Sequence, residues 1–107
     1  MAISSEQVCR CWINFNGMNT ISTRDSYNVS SISDNGCGDY TISFSSSMSN
    51  TSYCAQCTVT YEISGTRRHR MVSIYTYSTG SCRVVSGHSD THCADHEAVN
   101  FSVYGAQ

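Results

Sequence analysis

The sequence predicts an all-β domain, an antiparallel β-sandwich of the jelly-roll type, and three observations support this. First, the chain contains no Leu and no Lys but 15 Ile and Val residues and 30 Ser and Thr residues. Helix formers are therefore scarce, while β-branched side chains favour strands. Second, apolar and polar residues alternate with a period of two in several short segments. Third, turn-forming residues separate these segments at intervals of roughly 8–12 residues, which is typical of sandwiches.

The 107 residues are expected to form one domain, with residues 1–7 as an N-terminal arm and residues 8–107 as the sandwich. Residues 1–7 lack the basic start and apolar core of a secretory signal. No apolar run reaches the length of a membrane span. The formal charge is −2 and Arg is the only strong base, so we expect neither nucleic-acid binding nor membrane insertion.

A β-hairpin is predicted at the centre of the first half of the chain. Strand-like residues 26–33 and 39–44 flank the turn DNGCG at residues 34–38. Asn35-Gly36 is a strong turn signal because both residues tolerate positive φ. After the turn, Tyr40, Ile42 and Phe44 share one face of their strand.

The best-defined strand is predicted at residues 53–63, where apolar and polar residues alternate over the whole length. Residues 71–77 are partly apolar on both faces, which indicates a central strand or a subunit contact. Further strands are predicted at residues 8–15, 20–24, 82–85 and 98–104, and loops at residues 45–52, 64–70 and 86–97. The loop at residues 45–52 is expected to be too polar to pack.

Part of the chain resembles a known class of proteins. The segments CWINFNG (11–17), TI (20–21), RDSYNVSSI (24–32), DNG (34–36) and GDYTI (38–42) are similar to the C-terminal region of tail-fibre and related structural proteins of tailed bacteriophages. The run VNFSVYG (99–105) resembles their last strand. The resemblance implies a trimeric virion subunit of a tail fibre, a tail tip or a head decoration, assembled in the host cytoplasm. Its partners would be further copies of itself, other virion proteins and, as a further candidate, a host-surface glycan.

Surface aromatic residues are the leading candidates for binding, because a domain of this size cannot bury all of them. Tyr and Trp are frequent at protein interfaces and on sugar-binding surfaces, and a contact between copies of the chain is the preferred interpretation. A basic loop offers guanidinium groups that bind phosphate or acidic sugar in a bidentate manner, although a charged loop is more often solvated. The candidate binding residues are Trp12, Tyr27, Arg67, Arg68, Arg70, Tyr75, Tyr77 and Tyr104.

The seven cysteines are expected to be mostly free thiols that pack like small apolar side chains. One cross-strand disulfide is allowed for, with Cys82 and Cys93 as the expected pair. The weak candidates for a metal site are His88, His92, Cys93 and His96. On a helix, the three histidines would share one face and could bind a transition metal. A metal site is not the preferred interpretation, and no cofactor is expected.

No sequence motif points to catalysis: the chain lacks a GxSxG elbow, a phosphate-binding loop and HExxH. We therefore expect a structural or attachment protein of a phage virion rather than an enzyme. Two alternatives stay open, a lectin-like or cysteine-rich binding module and a small Cys/His metal-binding protein.

Overall fold

A computed structural model of the chain describes residues 8–18, 20–60, 71–89, 92–93 and 96–105, with the backbone alone at residues 71, 87–89 and 92–93. Nine strands and no helix lie within these ranges. The strands are β1 (Cys9–Asn16), β2 (Ser22–Tyr27), β3 (Val29–Gly36), β4 (Asp39–Phe44), β5 (Cys54–Val59), β6 (Met71–Tyr77), β7 (Ser81–Ser89), β8 (His92–Cys93) and β9 (Val99–Tyr104).

The strands form two antiparallel sheets that pack face to face. Sheet A has the strand order β2-β1-β9-β5. Sheet B has the order β3-β4-β7-β6, and β8 pairs with the end of β7. The predicted all-β antiparallel sandwich is therefore confirmed.

The core consists of the inward-facing residues of both sheets, which follow the period of two along each strand. Ile13 pairs with Phe101 in sheet A, and both are almost fully buried. Across the sandwich, the rings of Phe15 and Tyr40 meet edge to face with their centroids 5.1 Å apart. The remaining buried apolar residues of the described ranges are Cys11, Ile42, Phe44, Met48, Tyr53, Cys82, Val84, Val99 and Val103.

The chain changes from sheet A to sheet B at Asn28, in the middle of the strand predicted at residues 26–33. That prediction was wrong, because Asn28 has a φ of 59° and separates β2 from β3. The Asn28 side chain holds this junction: Nδ2 donates to the Arg10 carbonyl at 3.0 Å, and Oδ1 accepts from the Ser46 amide at 2.7 Å. As a result, Tyr27 ends its strand on sheet A.

The predicted hairpin is present as β3 and β4, and its two turn residues lie at the end of the predicted turn at residues 34–38. Gly36 pairs with Asp39, so Cys37 and Gly38 form the turn, and Gly38 has a φ of 62°. Asn35 instead stays in β3, where its side-chain amide donates to Thr41 Oγ1 at 2.7 Å. The Asn35-Gly36 signal therefore located the hairpin but not the turn residues.

Several other predictions need correction. Met48 is buried, with 3 % of its surface exposed, although its loop was expected to be too polar to pack; its amide donates to the Thr79 carbonyl at 2.8 Å. β7 continues to Ser89 and is followed by β8, where a loop was predicted. By contrast, the alternation predicted for residues 53–63 is confirmed for β5, and residues 61–63 lie outside the described ranges.

β6 lies at the end of the strand order of sheet B in the described part of the chain. Of the two predicted alternatives, the central strand is therefore wrong there, and the subunit contact stays a prediction. A bulge between Ile74 and Thr76 also reverses the facing of its last residues. Tyr77 pairs with the buried Cys82 and therefore shares the inner face of the sheet. Tyr75 and Tyr77 consequently belong to different surfaces.

Candidate binding face

The outer face of sheet A brings three of the predicted aromatic residues together. Trp12 and Tyr27 are direct cross-strand partners, and 37 % and 57 % of their respective surfaces are exposed. Tyr104 lies on the same face of β9, two residues after Ser102, which pairs with Trp12. Direct partners on one face of a sheet lie about 5 Å apart and diagonal ones about 7–8 Å. The three residues therefore lie in one area of this face, which we call the aromatic area.

A row of polar side chains crosses the same face next to the aromatic area. Arg24 Nη1 donates to Asn14 Oδ1 at 3.2 Å. Asn14 Nδ2 donates to Asn100 Oδ1 at 2.5 Å, and Asn100 Nδ2 donates to Thr58 Oγ1 at 3.4 Å. These bonds run through β2, β1, β9 and β5 in turn, so the polar row fixes its side chains across the full width of the sheet.

A groove of about 380 Å³ lies between these two features. Ser102 pairs with Trp12 on one side and with Gln56 on the other, so a small side chain separates an indole from an amide. The Gln56 side chain has no hydrogen-bond partner among the described residues. The lining residues are Trp12, Ile13, Asn14, Gln56, Thr58, Asn100, Phe101 and Ser102. None of them carries a formal charge, and the groove therefore combines an apolar ring with neutral donors and acceptors.

The outer face of sheet B carries Tyr75, which is 62 % exposed. Its ring lies 4.3 Å from the guanidinium carbon of Arg83. Arg83 also donates to both carboxylate oxygens of Asp39, from Nε at 2.9 Å and from Nη2 at 2.6 Å. The hydrogen bonds from Arg83 hold the pKa of Asp39 below its usual value of 3.8, and Asp39 raises the pKa of Arg83. The charged groups of this cluster therefore bind each other.

Tyr77 lies apart from both outer faces, at the rim of the core. Its ring centroid is 5.1 Å from that of Tyr53. The Tyr53 hydroxyl donates within the same region, 2.9 Å from the Ser78 carbonyl, and burial raises the pKa of Tyr53. Tyr77 therefore does not share a face of β6 with Tyr75, as strict alternation over residues 71–77 would require, and its role as a binding residue stays a prediction.

The basic loop and most of the weak metal candidates cannot be placed. Arg67, Arg68 and Arg70 lie outside the described residues, as do the side chains of His88, His92 and Cys93. His96 is buried, and its carbonyl accepts a hydrogen bond from the Gly17 amide at 2.9 Å. Within the described ranges, no three His, Cys, Asp or Glu side chains are grouped to hold a metal ion.

Among the described cysteines, five are free and Cys37 is disulfide-bonded. Cys82 is one of the free thiols, so the expected pairing of Cys82 with Cys93 was wrong. Burial raises the pKa of Cys11 and Cys57 from 9.0 to about 12, and that of Cys82 to about 11. Thiols with raised pKa values stay protonated at neutral pH and are poor nucleophiles and poor metal ligands.

The sequence interpretation missed the polar residues of the groove: Asn14, Gln56, Thr58, Asn100 and Ser102. Each faces outward on a strand whose apolar residues were assigned to the core, so the period of two already placed them on a surface. Their grouping depends on strand order, because the bonded Asn14 and Asn100 are separated by 86 positions.

In comparisons with known proteins, no family model, no curated protein and no solved structure matches the chain. Among the described residues, no helix is long and apolar enough to cross a membrane.

Proposed function

We propose that the protein is a structural and attachment subunit of a tailed-phage virion, which acts by assembly and surface recognition and not by catalysis. The observation that carries this proposal is the open outer face of sheet A, where the exposed Trp12 lines the groove and the exposed Tyr27 is its cross-strand partner. Exposed aromatic side chains with few charges around them are typical of recognition surfaces. The resemblance of residues 11–42 to phage tail-fibre proteins supports placement in a virion.

The architecture suits recognition because the groove is built on strands. Trp12 and Asn14 lie on β1, and Ser102 lies on β9; both strands are central in sheet A. Their inner neighbours, Ile13 and Phe101, are locked in the core. A surface held by a packed sheet loses little conformational entropy on binding, and it therefore favours affinity.

We further propose that the subunit is a homotrimer that assembles through β6. This strand ends sheet B in the described part of the chain and carries the exposed Tyr75. Closed cyclic symmetry would bury this strand and leave the outer face of sheet A open. Light scattering should give a mass near three times the chain mass of 11.8 kDa. A monomer at micromolar concentration would refute the trimer.

Placement in a virion is tested on purified phage particles. Mass spectrometry of particles banded by density should detect the chain at a constant ratio to the major capsid protein. Immunogold labelling with an antibody against residues of the outer face of sheet A should then locate the chain on the tail or the head. A chain found in infected cells but absent from banded particles would contradict the proposal.

A further inference from the structure

We infer that the groove on the outer face of sheet A binds an uncharged glycan, and this inference rests on the proposed recognition role. A sugar ring presents an apolar C–H face and a rim of hydroxyl groups. The groove offers a complementary pair of features, since Trp12 lies on one side of Ser102 and Gln56 on the other. The ring face of the sugar would cover the indole, and its hydroxyls would reach the amides.

The spacing across the groove fits a sugar ring. Trp12, Ser102 and Gln56 occupy the same row on three neighbouring strands. Neighbouring strands lie about 4.8 Å apart, so the backbones that carry the indole and the amide are roughly 10 Å apart. Ser102, which lies between them, has a small side chain and leaves room for one sugar ring. The volume of about 380 Å³ is at the lower end of small-ligand sites.

Some hydrogen-bonding groups of the groove already bond to each other, and others have bonding capacity left. The bonds from Arg24 through Asn14 and Asn100 to Thr58 orient these side chains. Asn100 Oδ1 and Thr58 Oγ1 each receive one bond in the row, which leaves each oxygen able to accept another. Gln56 has no partner among the described residues and supplies both a donor and an acceptor. Sugar hydroxyls, which donate and accept, match this mixture.

The lack of positive charge in the groove disfavours acidic ligands. None of the eight residues that line the groove is charged, and Arg24, the cation at the end of the polar row, does not line it. An anionic sugar, a phosphate or a nucleic-acid strand would have to give up its hydration without gaining a cation. An extended peptide is also disfavoured, because peptides usually add to the edge of a sheet and the groove crosses its face.

The inference is tested with an array of neutral oligosaccharides built from glucose, galactose, mannose and their N-acetylated forms, together with sialylated and sulfated counterparts. Binding of the best array glycan is then measured by calorimetry, which reports affinity per site whatever the oligomeric state. We expect a neutral glycan to bind, and we expect Trp12→Ala to weaken its binding about tenfold or more. Gln56→Ala should weaken binding less, and Ser43→Ala, a control on the outer face of sheet B, should leave it unchanged.

Folding of each variant is checked by circular dichroism and by the urea midpoint, so a loss of binding cannot be mistaken for unfolding. Three results would overturn the inference: binding of anionic glycans alone, binding of none of the array glycans, and equal glycan affinity of the wild-type and Trp12→Ala proteins. Attachment to host cells that depends on Trp12 but survives periodate oxidation of the cell surface would leave the recognition role intact while refuting the glycan. Attachment that does not depend on Trp12 would contradict the recognition role itself.

Discussion

The two outer faces of the sandwich carry similar types of side chain but use them differently. On sheet B, Arg83 donates two hydrogen bonds to Asp39, and the ring of Tyr75 lies against its guanidinium. On sheet A, Trp12 is exposed beside a groove, and Gln56 has no hydrogen-bond partner among the described residues. A cluster whose groups already bond to each other gains little by binding a ligand. Groups that are held in place with bonding capacity left can bind one.

We propose that this difference separates a face that stabilises the domain from a face that recognises a ligand. Both faces rest on the same core, so a substitution below the surface should unfold the domain whichever sheet it lies in. Substitutions on the surface should instead separate the faces: those on sheet B should alter the dependence of stability on pH, and those on sheet A should alter binding.

The largest expected effect comes from the inner side of sheet A. Phe101 is 2 % exposed and pairs with Ile13, and Phe101→Ala should lower the free energy of unfolding by about 3–5 kcal/mol. The next residue, Ser102, faces outward, so Ser102→Ala should change the free energy of unfolding by less than about 0.5 kcal/mol. Urea denaturation of both variants measures this contrast. Equal losses of stability would show that the assignment of the two faces is wrong.

A second effect should appear at alkaline pH. Burial raises the pKa of Cys57 from 9.0 to about 12. Its thiol therefore ionises in the unfolded chain at a lower pH than in the folded protein, and stability should fall as the pH rises from about 9 to 12. Cys57→Ala should lessen this loss. Cys54 is exposed on the opposite face of β5, so Cys54→Ala is the matched control. Melting temperatures between pH 7 and pH 11 test this, and identical pH slopes for the two variants would contradict it.

A smaller effect is expected from the ion pair of sheet B at acid pH. Arg83 lowers the pKa of Asp39 below 3.8, so the folded state favours the ionised carboxylate. The stability that this adds is complete above pH 3.8 and is lost as the pH falls through the folded pKa of Asp39. Asp39→Asn should therefore flatten the acid limb of the plot of melting temperature against pH. Asn14→Ala, on sheet A, changes no ionisable group and should leave that limb intact; a parallel change in both variants would argue against the ion pair as the cause.

The sequence was sufficient to predict the architecture and much of the core. Alternation with a period of two placed Tyr40, Ile42 and Phe44 on one face, and all three are buried, because buried sheets select apolar residues at every second position. It failed where a single residue breaks the period. The positive φ of Asn28 ends β2 inside an apparently continuous strand, and the bulge in β6 turns Tyr77 toward the core. Asn tolerates positive φ, but a single Asn inside an alternating segment does not by itself mark a break, and the bulge has no signature in local composition.

The candidate site was predicted only in part, for a related physical reason. Trp12 and Tyr27 were identified because exposed aromatic residues are conspicuous in so small a domain. The amides of Asn14, Gln56 and Asn100 are ordinary surface residues in sequence. They become a site only when β9 inserts between β1 and β5, and strand order of this kind depends on contacts between residues far apart in the chain.

The central claim is that the outer face of sheet A is the recognition surface, and matched substitutions on the two faces test it most directly. Ser102→Arg would fill the groove between Trp12 and Gln56. Ser43→Arg would place the same side chain on the outer face of sheet B, where Ser43 pairs with Ser31 and Ser81. The measurement is attachment of the fluorescently labelled protein to host cells, with folding of both variants verified. The account predicts that Ser102→Arg abolishes attachment and that Ser43→Arg retains it; attachment that survives Ser102→Arg but not Ser43→Arg would contradict it.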